Sequence, residues 1–495
     1  MLNPFEQTTG SDRLRSPHSL LLIVFLLVVS ACMISYMGLA IGLGLMILPF
    51  VFTYLYLLFL YPVIGLYTSL LLGFTILGLA RYVDFQVGLL MDGILFLTFI
   101  ALIFSRFYDK IDWTPAKKDI TLLAVIWLGY SFFEVINPES RSFAAWLNAM
   151  RGISMYMLLI VVLTLILVDT KKKIDYFIYL WAGLSLLASI KGIAQNFLGI
   201  DRFEQAWLDA GAAQTHVLFG KLRIFSFLSD AGQFGANQAY SGVVALILSL
   251  EEKNWKKKSF FLIVALLGFY GMLLSGTRGA ISIPLAGLGT YFVLKKNKAV
   301  MFSGFVALVL VFVFFKYTTI GQGNQQIRRM RTAFDPNDAS FQVRLENQRT
   351  LKVYLSTRPF GGGLGHAGVK AKKYLPNAFL SNIATDSWYV MIWAEQGIVG
   401  LLLHLFILFY IVIKSSYLIM NRIRDPILKI KMSALVSGMV GVMVASYGNA
   451  VLGTVPTAIS IYISMALLLN SDKYDTPLNE VEVKSLPERE KYLSA

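Results

Sequence analysis

The residues best suited to chemistry are arginines and one aspartate at the edges of apolar segments. Arg278 stands in Leu273-Leu274-Ser275-Gly276-Thr277-Arg278-Gly279-Ala280, wedged between two apolar runs. A guanidinium in that setting is costly unless it faces a cavity or a partner, so it reads as an anion-binding group; snorkelling to the interface is the alternative. Arg344 lies in a segment, Phe341 to Leu355, that reads as a helix stopped by Pro359 and the glycines after it. At about 100° per residue, Phe341, Leu345, Leu351 and Leu355 share an arc about 120° wide that includes Arg344. If that helix lies over membrane helices, Arg344 aims into the same cavity as Arg278; pairing with an acid or touching lipid phosphates is the alternative. Asp386 immediately precedes an apolar run from Trp388, where it caps the helix or acts as an acceptor at a cavity rim. Such a set suits an anionic substrate held by charge-assisted contacts to phosphate.

Other polar positions are weaker candidates. Arg223, in Lys221-Leu-Arg223-Ile-Phe-Ser226, returns positive charge toward the same surface, whereas His216 reads as a solvated loop residue. Arg358-Pro-Phe-Gly361-Gly-Gly-Leu-Gly365-His366-Ala-Gly368 is a glycine-rich turn without the strand or the Gly-Lys-Ser/Thr ending of a nucleotide loop. Its amides are able to cradle a phosphate, with His366 beside them; a flexible turn with an exposed histidine is the alternative. Glu395 sits deep enough in an apolar run to need a partner. The single cysteine, Cys32, excludes an intramolecular disulfide, and four scattered histidines make a protein-built metal site improbable. Val29-Ser30-Ala31-Cys32 behind Arg13 and Arg15 has the look of a lipoprotein cleavage box, but apolar character continues to residue 80, so an uncleaved first helix is expected.

The elements that position these residues are membrane helices. The 495 residues are 56% apolar and only 15% charged, with a mean hydropathy of +0.64, which excludes a soluble globule. Apolar runs long enough to cross ~30 Å of hydrocarbon recur throughout, giving an all-α polytopic bundle of about 12 to 14 spans. With fourteen spans, five lysine- and arginine-rich connections fall on one side, which the positive-inside rule makes cytoplasmic. The resulting organisation is a cytoplasmic N-terminus (1–18), helices over 19–316 with a smaller external loop (199–234), a large external loop (317–387), C-terminal helices (388–470) and a cytoplasmic tail (471–495). The large loop is too long for an idle connector. From Lys316 onward it carries eleven basic residues against four acids, which points to an anionic ligand or to headgroup contact. No nucleic-acid-binding module interrupts the helices.

In their order and topology these motifs resemble the O-antigen ligase and O-antigen polymerase superfamily of bacterial envelope glycosyltransferases. The resemblance rests on Ser275 to Ala280 after a helix, Arg344-Leu-Glu346 in the large loop, Arg358 to Gly365, and Asp386-Ser-Trp-Tyr389 through Glu395-Gln-Gly397-Ile-Val-Gly400, all within about residues 220 to 410. It implies metal-independent, cofactor-free transfer of a glycan from undecaprenyl pyrophosphate to a glycan or lipid acceptor, at the periplasmic face of the inner membrane. Membrane lipids and a chain-length regulator are the further partners it implies. Arg278 and Arg344 are then expected to engage the pyrophosphate, and Arg223, Arg358, His366 and Tyr389 to contact substrate. Ligases of this family usually show His-Asn-x-Tyr where this chain has Asp386-Ser-Trp-Tyr389, so Asp386 is expected as the base, with His366 as the fallback. That departure favours a polymerase slightly over a ligase. A polysaccharide or lipid-linked oligosaccharide flippase is the alternative, against which stand the absence of a detectable internal repeat and polar features collected at one edge.

Overall fold

The computed structural model describes residues 39–475, except 84–87, 106, 108–110, 219, 324 and 336, together with residues 21 and 25. Apart from those two residues, the first expected span, with Arg13, Arg15, His18 and Cys32, lies outside the described residues, as does the chain beyond 475. Helix dominates, and the strands described are the two-residue pair β1 (Val217–Leu218) and β2 (Lys221–Leu222). The chain is an all-α polytopic membrane bundle.

Among the described residues six apolar helices come first: α1 (Leu39–Leu60), α2 (Val63–Leu79), α3 (Gly88–Ser105), α4 (Asp119–Phe133), α5 (Phe143–Leu167) and α6 (Lys171–Leu198). The short α7 (Arg202–Trp207) opens the smaller loop, and α8 (Ala231–Glu251), α9 (Trp255–Leu274), α10 (Ser282–Leu294) and α11 (Lys298–Tyr317) follow it. The large loop holds α12 (Gln325–Arg331) and α13 (Ala339–Leu355). The bundle closes with α14 (Trp388–Asn421), α15 (Pro426–Ala445) and α16 (Thr457–Leu469). Seven of these helical segments are long and apolar enough to span a membrane by length and composition.

Burial separates the helices into a core and a lipid-facing shell. Every residue of α16 is buried, as are nearly all of α8 and most of α15, so these helices form the centre. A helix apolar all round is expected to be enclosed, and α16 fits that rule. By contrast α1 and α11 present Met46, Phe50, Phe302, Phe305 and Leu310 outward, as lipid-facing helices do.

The basic connections gather at one end of the bundle and find acids there. Lys118 pairs with Asp472 at 3.1 Å and Lys171 with Asp425 at 2.7 Å, while Lys414 bonds Asp119 and Lys431 bonds Asp175. At the opposite end the large loop folds back on the bundle. Leu351 and Leu355 of α13 bury themselves with Leu380 and Ile383 against Ala394 of α14, so the loop has a small core built partly from the helix it covers.

Candidate active site

Arg278 is held by the turn that precedes it. After α9, the Ser275 hydroxyl donates to the Met272 carbonyl and accepts from the Thr277 amide at 3.1 Å. Gly276 takes φ = 58°, and a Cβ there would come within 3.0 Å of Arg329. This close approach lets Arg329 Nε donate to the Gly276 carbonyl at 2.6 Å. From the other side Arg223 donates to the Ser275 carbonyl (3.2 Å) and to the Thr277 hydroxyl (3.1 Å), and Thr277 in turn donates to Ala231 of α8 (2.8 Å). The turn is thus clamped between two guanidinium groups, and a third, Arg278, leaves it toward a cavity.

Three arginines so close together carry an electrostatic signature. Burial draws Arg223 down to about 10, with the charges of Arg329 and Arg278 adding to the effect and Asp230 opposing it. Burial also lowers Arg329, followed by repulsion from Arg278, against attraction to Asp338. Asp338 is the local counter-charge: its Oδ2 accepts from Arg278 Nη1 at 2.5 Å, and Thr332 Oγ1 accepts from the same nitrogen at 3.1 Å. Burial alone would raise the Asp338 carboxyl, but the Arg278 bond and charge and the Phe341 amide together hold it below its ordinary value. Its Oδ1 accepts that Phe341 amide at 3.0 Å and caps α13. One carboxylate therefore anchors both Arg278 and the helix that carries Arg344.

Arg278 and Arg344 line one cavity of about 550 Å³, whose other walls include Leu285, Phe334, Phe341, Val444 and Tyr447. Arg344 Nε also donates to Asp386 Oδ2 at 3.2 Å. Asp386 is half-exposed and lines a second cavity, of about 400 Å³, between α5, the glycine-rich turn and the start of α14. The Arg344–Asp386 pair stands between the two. Asp386 does not cap α14: Ser387 does, accepting from the Val390 amide.

The glycine-rich turn is a docking element. Helix α14 breaks at Gly397 (φ = 65°), which frees the carbonyls of Ala394 and Glu395. Gly362 and Gly363 donate to them at 2.9 and 3.0 Å, and Val399 donates to the Pro359 carbonyl at 3.3 Å. These amides satisfy a broken helix and are not the phosphate cradle that the glycines suggest. Deeper in the turn the Ala367 amide donates to Glu395 Oε1 at 3.3 Å, so the partner Glu395 needs is backbone.

Residues 263–405 match a family described as O-antigen ligase. Over 342 residues, covering 65% of this chain and 81% of the other, the protein is 22% identical to an O-antigen polymerase of Salmonella muenchen. Over these stretches the chain is similar to O-antigen ligases and to an O-antigen polymerase. Its long apolar helices are those of a multi-pass membrane protein.

The span that matches the ligase family contains Arg278, Arg344, Arg358, His366, Asp386 and Tyr389, yet the structure brings only Arg278, Arg344 and Asp386 to the cavities. Arg358 donates to Glu139 at 2.9 Å and to the Tyr354 carbonyl at 2.9 Å, and its guanidinium lies 4.2 Å from the Tyr354 ring. It fastens the large loop to the connection after α4, and its hydrogen bond to Glu139 raises its pKa. His366 is neither exposed nor turned to a cavity: Nε2 accepts the Arg141 (2.9 Å) and Ser142 (3.1 Å) amides while Nδ1 meets the Leu364 carbonyl (2.9 Å). Both nitrogens are occupied, which removes it from substrate contact and from the fallback role. The Tyr389 hydroxyl donates to Met443 of α15 at 2.8 Å and ties two helices together. Arg223 braces the Arg278 turn. His216, expected in solvent, is buried between Trp207 and Phe225 and accepts the Ala231 amide.

Two participants went unnoticed in the sequence. Arg329 is one of three basic residues within Arg328-Arg329-Met330-Arg331, and nothing local distinguishes it. Asp338 figures there only as one of four loop acids; the signal was its place ahead of Ala339-Ser340-Phe341, the spacing of an N-cap.

Proposed function

We propose that the protein is a glycosyltransferase that moves a glycan from undecaprenyl pyrophosphate to a sugar hydroxyl at the periplasmic face of the inner membrane, acting as a polymerase of surface polysaccharide. The observation that carries this reading is the convergence of Arg278 and Arg344 on one cavity with apolar walls, since a lipid pyrophosphate needs both. The bond from the anomeric carbon to the pyrophosphate oxygen breaks, and its electron pair leaves with the lipid pyrophosphate. The fixed guanidinium groups stabilise the charge that develops there. The acceptor hydroxyl forms the new bond to that carbon, and its proton passes to the Asp386 carboxylate, which stands one ion pair away from Arg344. Arg344 spends only Nε on Asp386, so its two terminal nitrogens remain for the pyrophosphate.

Deletion of the gene in its native host tests this, with electrophoresis of surface glycans and extraction of the carrier-lipid pool. Single repeat units on their usual acceptor, with long chains missing, identify a polymerase. Long chains stranded on the carrier identify a ligase, and unchanged glycans with an unchanged lipid pool refute both.

A further inference from the structure

The second cavity has polar equipment that donor binding leaves unused. Its floor is Glu395, 3% exposed, whose Oε1 takes the Ala367 amide while Oε2 has no partner. A buried acceptor left open is costly unless something completes it. Asn148, one turn before the π-helical turn at Arg151–Met155 of α5, lines the same cavity. Arg151, itself paired with Asp92 of α3, donates to Asn148 Oδ1, which turns the amide N–H groups into the donors left for a ligand. Such π turns commonly accompany function. Tyr374 adds an aromatic wall and Thr385 a hydroxyl beside Asp386.

We infer that this cavity is the acceptor-sugar site: Glu395 Oε2 accepts from, and Asn148 Nδ2 donates to, hydroxyls of a neutral sugar ring, which presents a further hydroxyl to Asp386. A buried acceptor and an oriented donor lining one cavity match a ring bearing several hydroxyls, and the floor carboxylate rejects an acidic sugar. The inference rests on the proposed transfer reaction and adds where the second substrate sits and which residues choose it. Glu395 and Asn148 are recognition residues, remote from the pyrophosphate, so their loss should leave the donor cavity working.

The test is photo-cross-linking of the full-length protein in its native host, grown with a tritiated sugar that labels the surface glycan. p-Benzoylphenylalanine replaces Met391 in the second cavity or Leu285 in the first. Tritium should be captured at both positions, and at Met391 alone it should fall about tenfold in Glu395→Gln and in Asn148→Asp, the scale of one charge-assisted hydrogen bond. In the second variant the new carboxylate stays on Arg151, so folding is kept while the donor is lost. If Glu395→Gln also loses capture at Leu285, the protein is misfolded and Asn148→Asp decides. Capture at Leu285 without capture at Met391, or full capture at Met391 in both variants, overturns the acceptor site and leaves the transfer reaction standing. No capture at Leu285 in the otherwise unaltered protein overturns the transfer reading itself. Radioactive phosphorus in the Met391 adduct identifies a lipid-linked repeat unit as the acceptor, and tritium without carrier phosphate identifies a glycan already on its final anchor; either one supports the site.

Discussion

Arg344 on α13 and Asp386 ahead of α14 meet at 3.2 Å, and the first lines the larger cavity while the second lines the smaller. In the proposed transfer, the cation that would stabilise the leaving group and the carboxylate that would take the proton are thereby joined at the boundary between the two cavities. The contact is partly exposed on both sides, so its own contribution to stability is small and its value lies in alignment.

Substitution of either partner should therefore cost turnover and leave the fold intact. Arg344→Lys keeps the charge but loses the fork that serves Asp386 and phosphate together, and polymer formation should fall about 10²-fold, the scale of losing one oriented donor to a developing charge. Asp386→Asn keeps the shape and loses the proton acceptor, and should reduce turnover by about 10²–10⁴ while donor binding changes little. Rates and carrier-lipid binding measured on purified protein in nanodiscs check both. Equal losses of binding and turnover in Asp386→Asn would remove it from the base role.

Asp338 suggests a gain of affinity. It neutralises Arg278 and caps α13 through different oxygens, and asparagine preserves the cap. Asp338→Asn should release Arg278 for the pyrophosphate and lower the apparent KM for the lipid-linked donor by up to about fivefold, equivalent to the ~1 kcal/mol of a partly exposed ion pair. Arg278→Ala, in contrast, should abolish polymer while membrane insertion is retained. A raised KM in Asp338→Asn would show that the carboxylate positions Arg278 and does not compete for it.

How far the sequence discloses this site depends on whether a residue's partner is local. Arg278 and Arg344 are conspicuous because a guanidinium in apolar surroundings demands an explanation, and the apolar runs at 88–105 or 119–136 announce their helices by length alone. The roles of Arg358, His366 and the glycines are invisible there. Their partners, Glu139, the Arg141 and Ser142 amides and the carbonyls of Ala394 and Glu395, lie tens to hundreds of residues away. Glycine and histidine near a basic loop suggest a ligand site, whereas tertiary contact assigns them to joining the loop to the bundle.

His366 makes that junction sensitive to acid. Two amides point at Nε2, which fixes the neutral ring with its proton on Nδ1, and burial, helped by the Arg141 charge, lowers its pKa from the ordinary 6.5. A histidine with a depressed folded pKa contributes stability above about pH 6.5 that is lost as the pH falls toward the folded value. Thermal melts of the protein in nanodiscs should show a lower midpoint at pH 5.5 than at pH 7.5. His366→Gln should flatten part of that difference, at a cost of about 1 kcal/mol at neutral pH for the bonds it loses. An unchanged pH dependence in the variant would assign the effect to other groups.

The break in α14 offers the sharpest test of the docked loop. At Gly397 the backbone is left-handed, and a Cβ would lie 2.0 Å from the Pro359 carbonyl oxygen and 2.5 Å from the Gly361 amide, both main-chain atoms of the turn that the break receives. No side-chain rotation relieves such a contact, so Gly397→Ala must either straighten the helix or expel the turn. Straightening returns the Ala394 and Glu395 carbonyls to helical amides and takes them from Gly362 and Gly363, so the two routes reach the same result: the loop undocks. The penalty should be about 3 kcal/mol or more, the sum of left-handed strain and main-chain overlap. Because the break lies near one end of α14, insertion should survive while polymer disappears, and protease should cleave the 356–380 region faster than in the unaltered protein. Normal polymer and normal protease resistance would mean that the loop holds its place without the helix break, and that alignment of Arg344 with Asp386 comes from the α13 cap and its buried leucines alone.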